Sequence, residues 1–406
     1  MTDLHEMLDE LAAAPAVPSR FDADEVFEAG RRRYRRRRSL TVALAAVLAL
    51  GVGAGVATAV VSGDLLGATV ADDPTPDARR DPRPEEDGRS RVIQWSGAGD
   101  AAHLYLVFLA CTATGCAKDS FDLVGSDDGG RTWTTRTTGL KAIGWQVVGP
   151  NTLLAWTLSD AIVSTDGGRT WSPVAAASTA VPQVPAGGTV LCWPPARDER
   201  CALFAVDVAA RTMARLPTEP AFDDLTVQDV GGRLWVSGTD RARGTPAVAM
   251  SVDRGRTWIP HVLDPCKAQR CAPPELATAD GRTVYATLHD GRRWVVHRGT
   301  DNADWRRVDG GQLPDGEAPG WSFVAADGTH VVCVPLAEQR PGDTGCRFWA
   351  LGTDGTYRPA TLDGLPVHVG RVDRTPGGWF STHGYGSQFA VYGSTDGRHW
   401  SILTSR

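Results

Sequence analysis

Residues 126–133 read SDDGGRTW, and this octapeptide recurs toward the C-terminus of the chain. Residues 164–171 read STDGGRTW, residues 251–258 read SVDRGRTW, and residues 394–400 read STDGRHW, a copy shortened by one residue. The shared positions are Ser126, Asp128, Gly130, Thr132 and Trp133, then Ser164, Asp166, Gly168, Thr170 and Trp171, then Ser251, Asp253, Gly255, Thr257 and Trp258, and finally Ser394, Asp396 and Trp400. Copies at a regular interval indicate a repeat architecture, in which each copy marks one structural unit.

Each copy is suited to a tight turn between two β-strands. Glycine adopts the positive φ angles that such turns require, and Ser and Asp side chains hold a turn by hydrogen bonding to nearby backbone groups. The Trp then begins the next strand, where its ring can fill the space between neighbouring sheets. A calcium loop is the alternative, but each copy offers only one or two carboxylates, whereas calcium takes about six to eight oxygen ligands. The copies therefore predict structural turns, with no metal site and no cofactor.

The shared pattern S-x-D-x-G-x-T-W resembles the Asp-box, or BNR repeat, of sialidases, of sortilin-type receptors and of propeller-type photosystem II assembly factors. Three full copies and one shortened copy carry the resemblance. It implies a β-propeller, in which four-stranded sheets surround a central axis. It implies little about function, because the Asp-box is a structural device.

The spacing of the copies predicts the number of blades. Degenerate units that end at Met213, Trp305 and Tyr357 fit into the gaps between copies, and the seven unit ends then lie 38, 42, 45, 47, 52 and 43 residues apart. A four-stranded blade needs about 40 to 50 residues. We therefore expect an all-β, seven-bladed propeller over residues 91–406, with six blades as the alternative if the unit ending at Met213 is false. The ring is expected to close by pairing of residues 91–95 with the last blade, which removes a free sheet edge.

The segment before the predicted propeller contains a candidate membrane anchor. Residues 40–61 carry no charged side chain over 22 positions, and about 20 apolar residues span a hydrocarbon core. Residues 31–38 (RRRYRRRR) precede them, so the positive-inside rule places the N-terminus in the cytoplasm and the propeller outside. The predicted single-pass cell-membrane protein has a cytoplasmic tail (1–38), a transmembrane helix (39–62), a disordered linker (63–90) and an extracytoplasmic Asp-box propeller (91–406).

Two alternatives for this N-terminal region are less favoured. The arginine run is of a kind that binds nucleic acid, but its position against the apolar segment favours the topological role, and we expect no nucleic-acid partner. Residues 57–59 (ATA) fit the small-x-small pattern of a signal-peptide cleavage site. Residues 1–38 are longer than an ordinary signal-peptide n-region, which favours a retained anchor.

All eight cysteines lie in the predicted propeller, in the close pairs Cys111/Cys116, Cys192/Cys201, Cys266/Cys271 and Cys333/Cys346. An even count confined to the extracytoplasmic part indicates disulfides between neighbours. Metal binding is the alternative, but no pair has the spacing C-x-x-C. Three pairs bracket the turn from the second to the third strand of a unit, and the fourth lies in a connection between units. We therefore expect all four disulfides on the face opposite the octapeptide turns, where rigid loops would suit a binding site.

The resemblance to sialidases raises the question of enzymatic activity. It implies an Arg-Ile-Pro motif, an arginine triad, a Tyr/Glu nucleophile pair and an Asp acid. Residues 91–93 read RVI instead, and no Tyr stands in a recognisable pairing with a Glu. The glutamates of the predicted propeller lie mostly in Pro-rich or charged loops; they are Glu199, Glu219, Glu275, Glu317 and Glu338. The nine His are scattered, and no G-x-S-x-G, H-E-x-x-H or phosphate-loop motif is present.

The sequence therefore predicts a binding or assembly module for an extracytoplasmic protein, peptide or glycan. The alternative is an exo-acting glycosidase of the sialidase type, since ordinary glycosidases need two carboxylates that flank the scissile bond. Paired carboxylates with clustered Arg on the disulfide-bearing face would favour the enzyme. A broad exposed apolar or aromatic patch there would favour the binding module.

Overall fold

The computed structural model describes residues 69–70, 90–111, 121–157, 159–193, 201–263, 272–289, 294–308, 313, 320–336, 345–375, 377–384 and 390–405. The chain divides into two compact units, residues 1–51 and residues 52–406, and every described residue belongs to the second. The predicted tail, transmembrane helix and most of the linker lie outside the described residues. Among the residues that are described, no helix is long and apolar enough to cross a membrane.

The described secondary structure consists of 28 β-strands, most of them arranged in seven consecutive antiparallel meanders. The first strands of the meanders are β2 (Ser90–Ala98), β6 (Gly144–Gly149), β10 (Thr189–Trp193), β13 (Phe222–Val230), β17 (Glu275–Thr278), β21 (Ser322–Val324) and β25 (Asp373–Arg374). The second strands are β3 (Leu104–Cys111), β7 (Thr152–Trp156), β11 (Ala202–Asp207), β14 (Arg233–Asp240), β18 (Thr283–His289), β22 (His330–Pro335) and β26 (Phe380–His383).

The third strands are β4 (Phe121–Ser126), β8 (Ala161–Ser164), β12 (Thr212–Arg215), β15 (Pro246–Ser251), β19 (Trp294–Thr300), β23 (Cys346–Leu351) and β27 (Ala390–Ser394). The fourth strands are β5 (Thr134–Leu140), β9 (Ser172–Ala176), β16 (Ile259–Val262), β20 (Ala303–Val308), β24 (Tyr357–Ala360) and β28 (Ser401–Ser405). The third meander has three strands of its own, and β1 (Thr69–Val70) pairs antiparallel with the edge of β5.

These strands form six sheets, and the fold is an all-β propeller. Four sheets have four strands, one has five because it includes β1, and one has seven because it joins the second and third meanders. Short apolar strands separated by Gly-containing turns explain the local structure, since alternate side chains of each strand pack against the neighbouring sheet. For example, Leu123 and Leu153, from the first two meanders, share one core cluster with the rings of Trp145 and Trp171.

The third meander is entered from its outer side. After β9 the chain runs parallel to β12, where the backbone N–H of Ala177 donates to the carbonyl of Met213 (2.8 Å) and that of Val181 donates to the carbonyl of Arg215 (3.1 Å). It then returns to β10, which lies against β13 of the next meander. The segment from β9 thus supplies the outer edge of the third meander, and the unit around Met213 is present as the hairpin of β11 and β12.

The first and last meanders are neighbours, but the predicted pairing of residues 91–95 with the last blade is wrong. These residues lie in β2, which pairs with β3, while the seventh meander has four strands of its own. Side chains make the closure instead: β2 lies against β25 and β26, and Ser96 Oγ is 2.7 Å from His383 Nδ1. Because the last sheet is already complete, its inner edge needs no strand from the N-terminal side.

Candidate functional site

The four octapeptide copies form turns between the third and fourth strands and share one hydrogen-bond pattern. In the first copy Ser126 Oγ donates to Asp128 Oδ1 (2.8 Å) and accepts from the N–H of Gly130 (2.8 Å). The N–H and Oγ1 of Thr132 donate to the two oxygens of Asp128 (2.9 and 2.7 Å). Although burial acts in the opposite direction, these donors hold the pKa of Asp128 below its ordinary value. The corresponding carboxylates Asp166, Asp253 and Asp396 accept equivalent bonds and also have lowered pKa values.

Each octapeptide turn also reaches the outer part of the preceding meander. In the second copy the carbonyl of Gly168 accepts from Thr137 Oγ1 (2.5 Å), and Trp171 Nε1 donates to that same hydroxyl (3.1 Å). In the third copy the carbonyl of Gly255 accepts from Thr218 Oγ1 (2.9 Å). The copies therefore join neighbouring sheets, and their polar groups are engaged within the fold rather than turned toward a ligand.

The third copy differs from the first two at one position. Arg254 adopts a φ of 57° where Gly129 and Gly167 adopt 72° and 73°. Its guanidinium donates to the carbonyls of Val184 (3.1 Å) and Gly188 (2.9 Å), on the chain that leads into the third meander. The positive φ of a non-glycine residue is unfavourable, and these bonds provide the compensating interactions.

Two of the four predicted disulfides lie within the described residues, and both are present. Cys192–Cys201 joins the first two strands of the third meander, and Cys333–Cys346 joins β22 to β23 in the sixth, each with a Cα–Cα distance of 5.4 Å. Both lie at the end of the sheets remote from the octapeptide turns. Cys333–Cys346 closes a turn between a second and a third strand, which lies at the opposite end from a turn between a third and a fourth strand. Cys192–Cys201 joins the first two strands of its meander but reaches the same end, because β10 begins beside the third octapeptide turn, where Arg254 donates to the carbonyl of Gly188. We call these two ends the disulfide end and the octapeptide end. Cys116, Cys266 and Cys271 are outside the described residues.

A group of charged side chains lies on the inner strands at the disulfide end. Arg371 Nη1 is 2.8 Å from Glu275 Oε1, and the two side chains are 47 % and 15 % exposed. Glu275 is the first residue of β17, and Arg371 lies two positions before the start of β25. Both strands start at the disulfide end, because in a four-stranded antiparallel meander the turn after the first strand lies at the same end as the turn after the third strand. In a propeller the first strands form the inner ring around the central axis, so both residues lie at the start of inner strands.

Two further charged residues extend this group along β25. Burial raises the pKa of Asp373 to about 6, against the opposing effect of Arg371 and with an added contribution from Glu275. Arg374 donates to the carbonyl of Ala279, and its guanidinium carbon lies 5.5 Å from the Phe380 ring centroid. We refer to Glu275, Arg371, Asp373 and Arg374 as the inner-strand cluster. Arg371 is half-exposed, whereas Asp373 beside it is desolvated. Water therefore reaches one side of this cluster while protein encloses the other.

Three buried hydroxyl groups adjoin the inner-strand cluster, and none has a hydrogen-bond partner among the described residues: those of Thr287, Ser322 and Ser381. Thr287 pairs with Glu275, and Ser381 pairs with Asp373, so each hydroxyl lies on the same sheet face as its charged neighbour. Ser322 begins β21, which lies against β17. Buried polar groups normally have partners, so this region is suited to ordered water or to a polar ligand.

The arrangement offers a cation, two carboxyls with different environments and several hydroxyls, which together can hydrogen bond a polar ligand. Among the described residues no group of His, Cys, Asp and Glu could hold a metal ion. Two of the buried imidazoles are engaged elsewhere, since His330 Nδ1 lies 2.5 Å from Tyr357 Oη and His383 Nδ1 lies 2.7 Å from Ser96 Oγ. Burial lowers the pKa of His330 to about 3 and that of His383 to about 4, which keeps both neutral.

Sequence reasoning did not find the inner-strand cluster. Glu275 was one glutamate among several, and the partners Arg371 and Asp373 carried no recognised motif. The one available signal is the stretch 369–374, VGRVDR, which alternates charged and apolar residues in a short predicted strand region. Nothing in that stretch indicates that Glu275, two meanders earlier in the chain, would be the partner of Arg371.

Comparison with known proteins gives similarity in fold only. No protein-family model matches the chain, and no curated protein matches it. A puromycin-hydrolysing peptidase of Mycobacterium tuberculosis is similar in structure, with a TM-score of 0.48, 13 % identity, and coverage of 76 % of this chain and 52 % of the peptidase. This chain thus spans about half the length of that protein. YCF48 bound to D1 peptide has a TM-score of 0.33 and 15 % identity, and the match covers 79 % of this chain and 86 % of YCF48. TolB of Acinetobacter baumannii has a TM-score of 0.35 and 13 % identity, and the match covers 69 % of this chain and 75 % of TolB.

Proposed function

We propose that this chain is a binding or assembly module whose ligand, a protein, peptide or glycan, occupies the disulfide end of the central channel. The observation that carries the proposal is the ion pair of Arg371 with Glu275, in which the arginine side chain is half-exposed although the pair lies at the start of two inner strands. Hydroxyls without partners beside it add donors and acceptors that a polar ligand would use. The two disulfides at the same end support the idea of rigid loops around a site.

We also propose that the seven meanders are seven blades and that the octapeptide turns are Asp-boxes. The first strands of several neighbouring meanders lie against one another, namely β2 with β6, β10 with β13, β17 with β21 and β25 with β2, which supports one blade for each meander. We further propose that residues 40–61 anchor the chain in the cell membrane, with residues 1–38 cytoplasmic and the propeller outside. The uncharged run and the preceding arginines support this topology. Protease protection of tagged termini in sealed vesicles would test it: a digested N-terminus on the outer side would contradict it.

The binding proposal is tested with the oxidised full chain in detergent against arrays of glycans and of peptides. Arg371→Gln removes the guanidinium of the ion pair, and Arg243→Gln is the matched control, because Arg243 is exposed in the turn between β14 and β15 at the same end. We expect a ligand of the wild-type chain to lose at least about tenfold in affinity with Arg371→Gln, equivalent to about 1.4 kcal/mol, and to be unaffected by Arg243→Gln. Equal binding by both variants would place the ligand elsewhere and overturn the proposal.

A glycosidase is the second candidate, and one observation favours it. Glu275 is paired with Arg371, whereas burial raises the pKa of Asp373 to about 6. Two carboxyls in different environments are the arrangement that glycoside hydrolysis uses for its acid and its nucleophile or base. A broad exposed apolar patch, the feature that would favour the binding module over the enzyme, is not seen in the described part of the chain. Its exposed large apolar side chains are scattered: Val252, Ile259, Val367 and Ile402.

Turnover of fluorogenic sialosides and other glycosides distinguishes the two candidates. Hydrolysis that is lost in both Asp373→Asn and Glu275→Gln would establish the enzyme. If the folded, oxidised protein binds an array ligand but hydrolyses none of these substrates, the glycosidase is excluded and the binding module remains as the function.

A further inference from the structure

The Cys333–Cys346 disulfide is bonded on both sides to chain segments that lead into the candidate site. The backbone N–H of Cys333 donates to the carbonyl of Trp321 (2.9 Å), directly before Ser322. The backbone N–H of Cys346 donates to the carbonyl of Val367 (2.8 Å), on the segment that precedes Arg371. Both cysteines are buried, with exposures of 3 % and 0 %. The cross-linked hairpin thus lies between the start of β21 and the approach to β25.

The contact between this hairpin and residues 367–370 is close. A Cβ atom on Gly345 would lie 2.7 Å from the His368 ring, so the glycine allows the two segments to touch. Farther along, the N–H of Gly370 donates to the carbonyl of His383 (2.8 Å), and Thr382 Oγ1 donates to the carbonyl of Gly370 (2.9 Å). The backbone is therefore fixed on both sides up to the residue before Arg371, while the Arg371 side chain itself is half-exposed.

We infer that the Cys333–Cys346 disulfide is a positioning element of the inner-strand cluster: through residues 367–370 it holds Arg371 where its guanidinium meets Glu275. Its consequence for ligand binding rests on the proposed function, but the positioning itself does not. Cys192–Cys201 provides a matched comparison, because it has the same Cα–Cα distance and lies at the same end, in the third meander.

The test measures the titration of Asp373, which reports where Arg371 lies. Arg371 lowers the pKa of Asp373, in opposition to burial and to Glu275, so displacement of the guanidinium must raise that pKa. The full chain, labelled with ¹³C at Asp carboxyls and assigned with Asp373→Asn, is titrated by NMR. The variants are Cys333→Ala/Cys346→Ala, Cys192→Ala/Cys201→Ala, Arg371→Gln, and the combination of Arg371→Gln with the first pair.

We expect Cys333→Ala/Cys346→Ala and Arg371→Gln each to raise the Asp373 pKa by up to roughly one pH unit. The combined variant should raise the Asp373 pKa by no more than Arg371→Gln alone, since both changes act through the charge of Arg371. Cys192→Ala/Cys201→Ala should leave the titration unchanged. An unshifted Asp373 in the Cys333→Ala/Cys346→Ala chain, or additive shifts in the combination, would overturn the inference.

A second variant keeps the test decisive if loss of the disulfide prevents folding. Gly345→Ala leaves both cysteines in place but forces the hairpin away from His368. It should raise the Asp373 pKa, and Gly345→Ala/His368→Ala, which removes the obstructing ring, should restore it. An unchanged pKa in folded Gly345→Ala would contradict the inference. If Asp373 responds as expected while no array ligand depends on Arg371, the proposed function fails and the positioning role stands.

Discussion

The octapeptide turns and the inner-strand cluster use polar residues in opposite ways. In the turns, Asp166 accepts bonds from Ser164, from the backbone and from Thr170, all within a few residues of itself. In the cluster, Glu275 and Arg371 come from distant meanders, and neighbouring hydroxyls have no partner among the described residues. Satisfied local networks stabilise a fold, whereas partly satisfied ones on a water-accessible wall are available to a ligand. Each prediction below tests this contrast.

The largest expected effect is a loss of stability in acid that begins with the interior groups rather than the turns. His330 and His383 have folded pKa values of about 3 and about 4, below the ordinary value near 6.5. Keeping these two histidines neutral costs nothing above about pH 6.5. Between about pH 6.5 and their folded pKa values the unfolded chain binds more protons, so the free energy of unfolding falls as the pH falls. Asp373, with a folded pKa of about 6, acts oppositely: its burial costs stability above pH 4, and the cost disappears as it protonates.

The two histidines outweigh the single aspartate, so unfolding free energy should fall by roughly 4 kcal/mol between pH 7 and pH 4. The octapeptide carboxylates have lowered pKa values, so their contribution is lost only below about pH 4. Denaturant melts at a series of pH values measure both windows. Asp373→Asn should steepen the loss between pH 6 and pH 4, and an unaltered slope would show that Asp373 is not desolvated in the fold.

The next effect concerns one carboxylate of a turn. Asp166→Ala removes the acceptor for the side chains of Ser164 and Thr170 and for two backbone N–H groups. At about 1 kcal/mol net for each bond, we expect a loss of about 3 to 4 kcal/mol in the free energy of unfolding. Asp363→Ala is the control, because that carboxylate is 72 % exposed. A loss below about 1 kcal/mol for Asp166→Ala would mean that the turn does not hold the sheets together.

A smaller effect is expected where the third copy departs from the pattern. Arg254→Gly removes a positive-φ side chain, which gains about 1 kcal/mol, but it also removes two bonds from a charged donor to the carbonyls of Val184 and Gly188. Bonds to a charged group contribute about 1.5 to 3 kcal/mol each. Because the Arg254 side chain is partly exposed, we take the lower end of that range and expect the loss to prevail by about 2 kcal/mol. Chemical denaturation would measure it. A more stable Arg254→Gly chain would show that the arginine does not fix the entry to the third meander.

The contrast also explains what could be predicted from the sequence. The turn residues interact within one octapeptide, and Cys333 is close to Cys346 in the chain, so local spacing was sufficient for both. The segment from Ala175 to Val181 along β12 uses main-chain bonds and small, mostly exposed side chains, which leave no pattern to recognise. The pairing of Glu275 with Arg371 depends on how successive meanders are arranged around the channel, and a single sequence does not encode that distance in any local motif.

The smallest effect is expected for a pair of buried serines, one whose hydroxyl has hydrogen-bond partners and one whose hydroxyl has none among the described residues. Ser164 is buried, donates to Asp166 (2.8 Å) and accepts from the N–H of Gly168 (2.8 Å), whereas Ser322 is equally buried without a partner among the described residues. Removing a satisfied hydroxyl leaves its partners unpaired and costs about 1 to 2 kcal/mol, while removing an unsatisfied one relieves a desolvation cost. We therefore expect Ser164→Ala to destabilise the chain and Ser322→Ala to be neutral or to stabilise it by up to about 1 kcal/mol. Because Ser322 adjoins the inner-strand cluster, a destabilised Ser322→Ala chain would show that its hydroxyl is bonded to retained water and serves the fold. A neutral or stabilised variant that binds its array ligand more weakly would show that the hydroxyl is kept for the ligand.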